Sequence, residues 1–331
     1  MDFRTKVLLN WQCERINHNH SLIFFGSCFA DEIGSLFSAN KFNVLQNPFG
    51  VLYNPLSIAN AIERSLNETP YCESELIKAG NLYHSFAHHS AYSHTNKEEM
   101  IKALNAEQEN CSQKLRSADY LFITFGTAWI YELKESGEVV ANCHKLPANF
   151  FNRRRASVNE LFERFSGVIK QLLSINPNVK IILTVSPIRH LKDGAHENSL
   201  SKSTLLLLCE ELQNMFTENI SYLPTYEILL DELRDYRFYA DDMAHPSKKA
   251  VEYVWERIKD DVISIESEAI IKEWGKIRQG ICHRLMSADV EGYKLFLNNL
   301  LKTANTFAKK YKHIDIEQEI AEIKNRINHE A

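Results

Sequence analysis

Four apolar runs punctuate the first two thirds of the chain: "SLIFF" at residues 21–25, "FNVLQ" at 42–46, "DYLFITF" at 119–125 and "VKIILTV" at 179–185. Each stops at a small or turn-forming residue, respectively Gly26, Asn47, Gly126 and Ser186. Runs this short and this continuously apolar read as strands buried on both faces of a parallel sheet. A fifth run, "ISYLP" at 220–224, is weaker. Between the runs lie helical patterns at residues 31–40, 55–66, 97–117, 158–175 and 199–218. Alternating strands and helices predict an α/β fold, with the sheet covered on both faces and the chemistry at the carboxyl ends of its strands.

Two interruptions of that alternation carry information. "AWIYELKESGEVVANCHK" has Ser136-Gly137 between two strand-like pieces, which predicts a β-hairpin inserted after the third core strand. "NLYHSFAHHSAYSHT" alternates like an irregular strand and concentrates His84, His88, His89 and His94. From about Glu266 onward the pattern is helical and charged throughout. The chain therefore divides into a main domain at residues 1–265 and a helical extension at 266–331, which is expected to pack on the main domain or to form a homo-oligomer.

Composition narrows the function. With 331 residues, 44% hydrophobic and 24% charged, the chain has ample length for a large core. A net charge of -5 supplies no basic field, so neither nucleic acid nor an anionic membrane is an expected partner. Seven cysteines, odd in number and with no C-x-x-C pair, suit reduced thiols better than a disulfide framework. The N-terminal apolar piece is too short for a signal core or a membrane span, and the expectation is a soluble cytoplasmic protein.

Ser27 stands where the first core strand gives way to a helix, so its hydroxyl is placed at the mouth of the sheet beside free N–H groups of the first helical turn. The plain alternative is a helix cap. Far downstream, "FYADDMAHPSKKAVEYVWERIK" sets Asp242 and His245 three apart before Pro246, a residue suited to a first helical turn. In a D-x-x-H turn the carboxylate can fix the imidazole tautomer and leave the other nitrogen as a base. Together the three residues make a complete hydrolytic set.

The segment Gly26 to Ala30, "GSCFA", resembles the motif that names the GSCFA family, grouped with the SGNH or GDSL-like hydrolases. "NPFGVLYNP" at 47–55, "TFGTAWIY" at 124–131, "ANCHKLP" at 141–147, "TVSPIRHLKDG" at 184–194 and "DELRDYRFYADDMAHPS" at 231–247 are similar to the same family. The resemblance implies a flavodoxin-like three-layer sandwich with sheet order 2-1-3-4-5. It implies Ser27 as nucleophile, His245 as general base and later acid, and Asp242 as orienting carboxylate. It also implies an oxyanion hole from the Ser27 N–H, a glycine N–H after the second strand, here Gly50, and an asparagine after the third.

At that third position the chain departs from the SGNH pattern, since Gly126 and Thr127 are followed by Ala128 and Trp129. Loss of one oxyanion donor costs on the order of 100-fold in rate, so a replacement is expected. Thr127 and Asn142 are the candidates for the hole, with His144, Arg189, His190 and His89 assigned to substrate. Cys28 is an alternative nucleophile, because a thiolate at a helix N-terminus is stabilised, but its core-like neighbours predict a packed thiol. The histidine cluster raises a metal site, yet in an extended segment His88 and His89 face opposite sides, and no metal or cofactor is expected. "FNRRRAS" at 151–157 reads as a solvated basic turn, with recognition of an anionic or polyhydroxylated substrate as the functional alternative.

The reading that joins these features is a serine esterase or acyltransferase acting on a small-molecule or carbohydrate acyl ester through an acyl-enzyme on Ser27. The competing reading is a noncatalytic glycan- or acyl-binding module on the same fold.

Overall fold

The computed structural model describes residues 4–283 and 290–329; residues 1–3 of the N-terminal stretch, and 284–289 and 330–331 of the expected helical extension, lie outside them. The main elements begin with β1 (Ser21–Gly26), α1 (Cys28–Ala39), β2 (Asn43–Gln46) and α2 (Pro55–Leu66). There follow β3 (Leu76–Ala79), β4 (Leu82–Ser85), α3 (Lys97–Leu115), β5 (Tyr120–Phe125), β6 (Trp129–Leu133), β7 (Val139–Val140) and β8 (Phe151–Arg155). The chain continues through α4 (Val158–Ile175), β9 (Lys180–Val185), α5 (Ala195–Met215), β10 (Ile220–Tyr222) and a single turn, α6 (Thr225–Glu227). It closes with α7 (Lys248–Val262), α8 (Ile265–Cys282), α9 (Val290–Lys310) and α10 (Glu317–His329).

Five of these strands form one sheet in the order β2-β1-β5-β9-β10, which in terms of core strands is 2-1-3-4-5. The parallel register sets Phe24 beside Phe122 and Phe122 beside Ile182. Helices flank the sheet as a three-layer α/β/α sandwich. On one face Ile23, Phe25, Leu121, Ile123, Phe125, Ile181 and Leu183 join a single core with apolar residues of α2, α3, α4 and α5. On the other, the Phe24 and Phe122 rings stack with centroids 4.5 Å apart. Strands apolar on both faces are therefore explained by burial on both faces.

Local chemistry sets the helix ends. Asn54 caps α2, with Pro55 at its first turn, and Ser157 caps α4. Helix α1 begins at Cys28, earlier than the pattern predicts, because Ser27 caps it. The predicted hairpin across Ser136-Gly137 is present as β6 and β7. It carries a third strand that the charge of its sequence conceals: "FNRRR", expected as a turn, is β8, paired antiparallel with β6. Its charges are tolerated because each arginine meets a carboxylate, Arg153 with Asp193, Arg154 with Glu132 and Glu160, and Arg155 with Glu197. The irregular histidine-rich segment contains β4, paired with β3 across a turn at Gly80, whose φ is +60°.

The chain divides into two compact units: the first is Met1–Glu14, Ser21–Leu36 and Val44–Asp261, and the second is Arg15–His20, Phe37–Asn43 and Val262–Ala331. Within the second unit, α8, α9 and α10 share a core built on Ile270, Trp274, Leu300, Phe307 and Ile323. Buried His18 ties its segments together, bonding to Ser267 Oγ at 2.8 Å and to the Asn40 carbonyl at 2.9 Å. Among the described residues no helix is long and apolar enough to cross a membrane.

Candidate active site

β1 and β5 approach so closely at their carboxyl ends that only glycine fits at position 26. A Cβ there would lie 2.2 Å from the Thr124 carbonyl oxygen, and φ is +137°, where L side chains are strained. The Gly26 N–H is in turn held by Asn47 Oδ1 at 2.8 Å. The backbone thus leaves the sheet abruptly and delivers Ser27 to the start of α1. The Ser27 hydroxyl oxygen accepts from the Phe29 N–H at 3.3 Å, and its carbonyl accepts from Ala30 at 2.8 Å. Ser27 is therefore a helix cap, and it also lines a cleft of about 350 Å³ at the strand ends.

His245 lines the same cleft. Its ring Nδ1 lies 2.5 Å from Asp242 Oδ2, while Asp242 Oδ1 accepts from the N–H groups of Ala244 and His245, each at 2.9 Å. Those two backbone donors and the imidazole hold the Asp242 carboxyl down to about 2, so the pair presents a carboxylate to the ring over ordinary pH. The turn is tied to the end of β9 by the Arg189 N–H, which donates to the Ala244 carbonyl at 3.1 Å. Among the described residues no hydrogen bond joins Ser27 and His245, and His245 Nε2 has no partner. Both residues line one cavity.

Of the other predicted site residues, Thr127, Arg189 and His190 line the cleft, whereas Gly50, Asn142, His144 and His89 do not. Gly50 makes room for a neighbouring loop: a Cβ on it would lie 2.4 Å from the His89 Cβ. Its N–H donates to the Asn47 carbonyl at 2.7 Å and is not free for an oxyanion. Asn142 turns its side-chain oxygen to the His144 N–H at 2.9 Å. His144 is buried beneath the inserted sheet, with Nε2 on the Ser85 carbonyl at 2.8 Å and its ring 4.5 Å from that of His84. His89 Nδ1 accepts from the Ala91 N–H within its own turn. Among the described residues no group of three or more His, Cys, Asp or Glu is arranged to hold a metal.

Ala128, at the position where an oxyanion-hole asparagine was expected and is absent, is fully buried in the core. The Ser27 and Thr127 N–H groups are bonded to the carbonyls of Thr124 and Tyr53 at 3.2 and 2.9 Å. Side chains offer more. Thr127 Oγ1 accepts from the Trp129 N–H at 3.1 Å and lies 3.1 Å from Ser201 Oγ, which accepts from the Ala128 N–H at 2.8 Å. If Ser201 gives its one hydroxyl hydrogen to Thr127, that of Thr127 is left for the cleft. Asn54 also lines the cleft, and only one of its two amide hydrogens is engaged, by Ser57 Oγ at 3.0 Å.

Asn54 was not legible as a site residue; its only sequence signal is the Asn-Pro dipeptide that starts α2. Lys202 was missed as well. It is fully buried behind the strand ends, where its ammonium donates to the carbonyls of Gly126 at 2.6 Å and Ser186 at 2.7 Å, joining the loops that leave β5 and β9. Burial lowers its pKa to about 7, with the Arg189 charge adding to the effect. Cys28, expected to be packed away, is only half-buried and lines the cleft, its Sγ 3.4 Å from the Tyr53 hydroxyl.

A family model described as "GSCFA family" matches residues 21–258, and a second, described as "GSCFA domain protein, C-terminal domain", matches residues 274–329. No curated protein matches the chain.

Proposed function

The chain belongs to the GSCFA family, and on that premise we propose that it is an SGNH-like serine esterase or acyltransferase acting in the cytoplasm on an acyl ester. The observation that carries this reading is the convergence of Ser27 and the Asp242-oriented His245 on one cleft at the carboxyl ends of the central strands. In an α/β sheet of this order that is where ligand chemistry occurs.

In the proposed reaction Ser27 Oγ attacks the acyl carbonyl carbon while His245 takes the hydroxyl proton. The resulting oxyanion is stabilised by the Thr127 hydroxyl and the unengaged amide hydrogen of Asn54, which replace the asparagine absent at position 128. Collapse breaks the ester C–O bond, and His245 returns the proton to the departing alcohol. Water or an acceptor hydroxyl then attacks the acyl-enzyme, giving its proton to His245; the bond from the acyl carbon to Ser27 Oγ breaks, and His245 passes the proton to Oγ, which regenerates Ser27 and releases the acid or the new ester.

The position of Cys28 on the same cleft favours one second reading, a thiolate nucleophile. A fluorophosphonate probe with peptide mapping separates the two. Label on Ser27, lost in Ser27→Ala and kept in Cys28→Ala, is expected; label and turnover that vanish only in Cys28→Ala would transfer the role to the thiol. Neither label nor turnover of short-chain aryl esters would leave the noncatalytic binding module.

A further inference from the structure

The cleft that holds Ser27 is positively charged in a protein whose net charge is -5. Its lining carries Arg153, Arg189 and Lys192 against the one carboxylate of Asp193. Arg153 is committed: it grips Asp193 with two hydrogen bonds at 2.6 and 2.5 Å and lies over the Trp129 ring at 4.2 Å. Lys192 donates to the Tyr131 hydroxyl at 2.9 Å. Neither Lys192 nor the Arg189 guanidinium has a carboxylate partner within ion-pair distance among the described residues. This differs from the pattern on β8, where every arginine has found an acid.

A third feature lies between them. His190 lines the cleft with Nε2 out of solvent and without a hydrogen-bond partner among the described residues. Burial, reinforced by the charges of Lys202 and His245, lowers its pKa to about 4, so the ring is neutral at ordinary pH and able to give or accept one hydrogen bond. Two cations without an ion-pair partner, Lys192 feeling Asp193 only at longer range, and an orphaned ring nitrogen lack the same thing, an acceptor-rich anion. Such a group would relieve the mutual repulsion of Arg189 and buried Lys202 and engage the planar fork of arginine.

We propose that the substrate is an ester bearing a carboxylate or phosphate group, anchored by Arg189 and Lys192 beside the bond that Ser27 attacks. This deepens the ester-hydrolase reading and rests on it for the reaction, though not for binding.

Three aryl acetates test it: neutral 4-tolyl acetate, 4-acetoxybenzoate and 4-acetoxyphenyl phosphate, compared by kcat/KM at low and high salt. The expected result is a preference of about tenfold to a hundredfold for one or both anionic esters, the size of a charge-assisted hydrogen bond. It shrinks as salt rises and falls in Arg189→Gln and Lys192→Gln. Which anion is preferred distinguishes carboxylate from phosphate. Lys192 is exposed, so its variant keeps the test alive if Arg189→Gln fails to fold in a circular dichroism melt. No anionic preference in the wild type, or one unchanged in the folded variants, overturns the proposal and leaves the hydrolase standing. If no ester turns over and no phosphonate labels Ser27, the hydrolase reading fails. Calorimetric titration with the same two anions then decides: saturable binding weakened at least about tenfold in the variants upholds the cationic site, and no saturable binding refutes it.

Discussion

Histidines gather in two parts of the main unit, under the inserted sheets and at the ends of the central strands, and they are treated differently. Under the inserted sheets His88 is 1% exposed, bonded through Nδ1 to Ser85 Oγ at 2.9 Å and stacked on Phe49 at 5.0 Å. His84 is bonded to Ser93 Oγ at 2.6 Å, and His144 to a backbone carbonyl. Desolvation drives the pKa of His88 down to about 3 and lowers that of His144, so the rings of His88 and His144 are neutral pieces of core. At the strand ends the His245 side chain keeps 46% of its surface and spends one nitrogen on Asp242. A histidine thus becomes structure when neighbours enclose its ring, and is available for chemistry when one nitrogen is oriented by a carboxylate and the other is left open.

The sharpest way to break this contrast is to truncate one ring from each region. His245→Ala is expected to lower kcat/KM by about 10³ to 10⁴ with the melting temperature nearly unmoved. His88→Ala is expected to cost about 2–4 kcal/mol of stability through the cavity it leaves, without a kinetic loss of that size. Ester kinetics and chemical denaturation read both, and interchanged results would invert the comparison. A loss of the same order, about 10⁴ in kcat with the turn intact, is expected from Asp242→Asn, because the amide donates to Nδ1, leaves the proton on Nε2 and removes the charge that steadies the protonated ring.

The smallest effect is a slope in pH. Folded His88 and His190 have pKa values of about 3 and about 4, below the unfolded value of about 6.5, so between those limits the unfolded chain binds more protons. Their contribution to stability is complete above about pH 6.5 and is lost as the pH falls toward the folded values, at up to about 1.4 kcal/mol per pH unit for each ring. Denaturant melts from pH 7 to pH 5 should show stability falling with acid, less steeply in His88→Phe, which keeps a ring and removes the proton site. An unchanged slope would mean that His88 does not titrate with unfolding.

Sequence by itself determined what depends on near neighbours. Strand and helix periodicity, the caps at Asn54 and Ser157, and the Asp242–His245 turn are local, since spacing along the chain fixes which groups can meet. Alternation pointed to the α/β class while the strand order 2-1-3-4-5 came from the family resemblance, and Ser27 was visible because a strand that ends in glycine before a helix exposes the next residue. Tertiary structure alone decided what each polar group had left to offer. Gly50 looked like an oxyanion donor until Asn47 took its N–H, and Ala128 looked like a missing donor until the fold put it in the core while Thr127 and Asn54 came to line the cleft. Arg153, Arg154 and Arg155 read alike in a row, yet acids from distant segments neutralise them while Arg189 stays uncompensated. Hydrogen-bond capacity and net charge at a site are remainders after every long-range partner has been subtracted, and those partners are chosen only when the chain has folded.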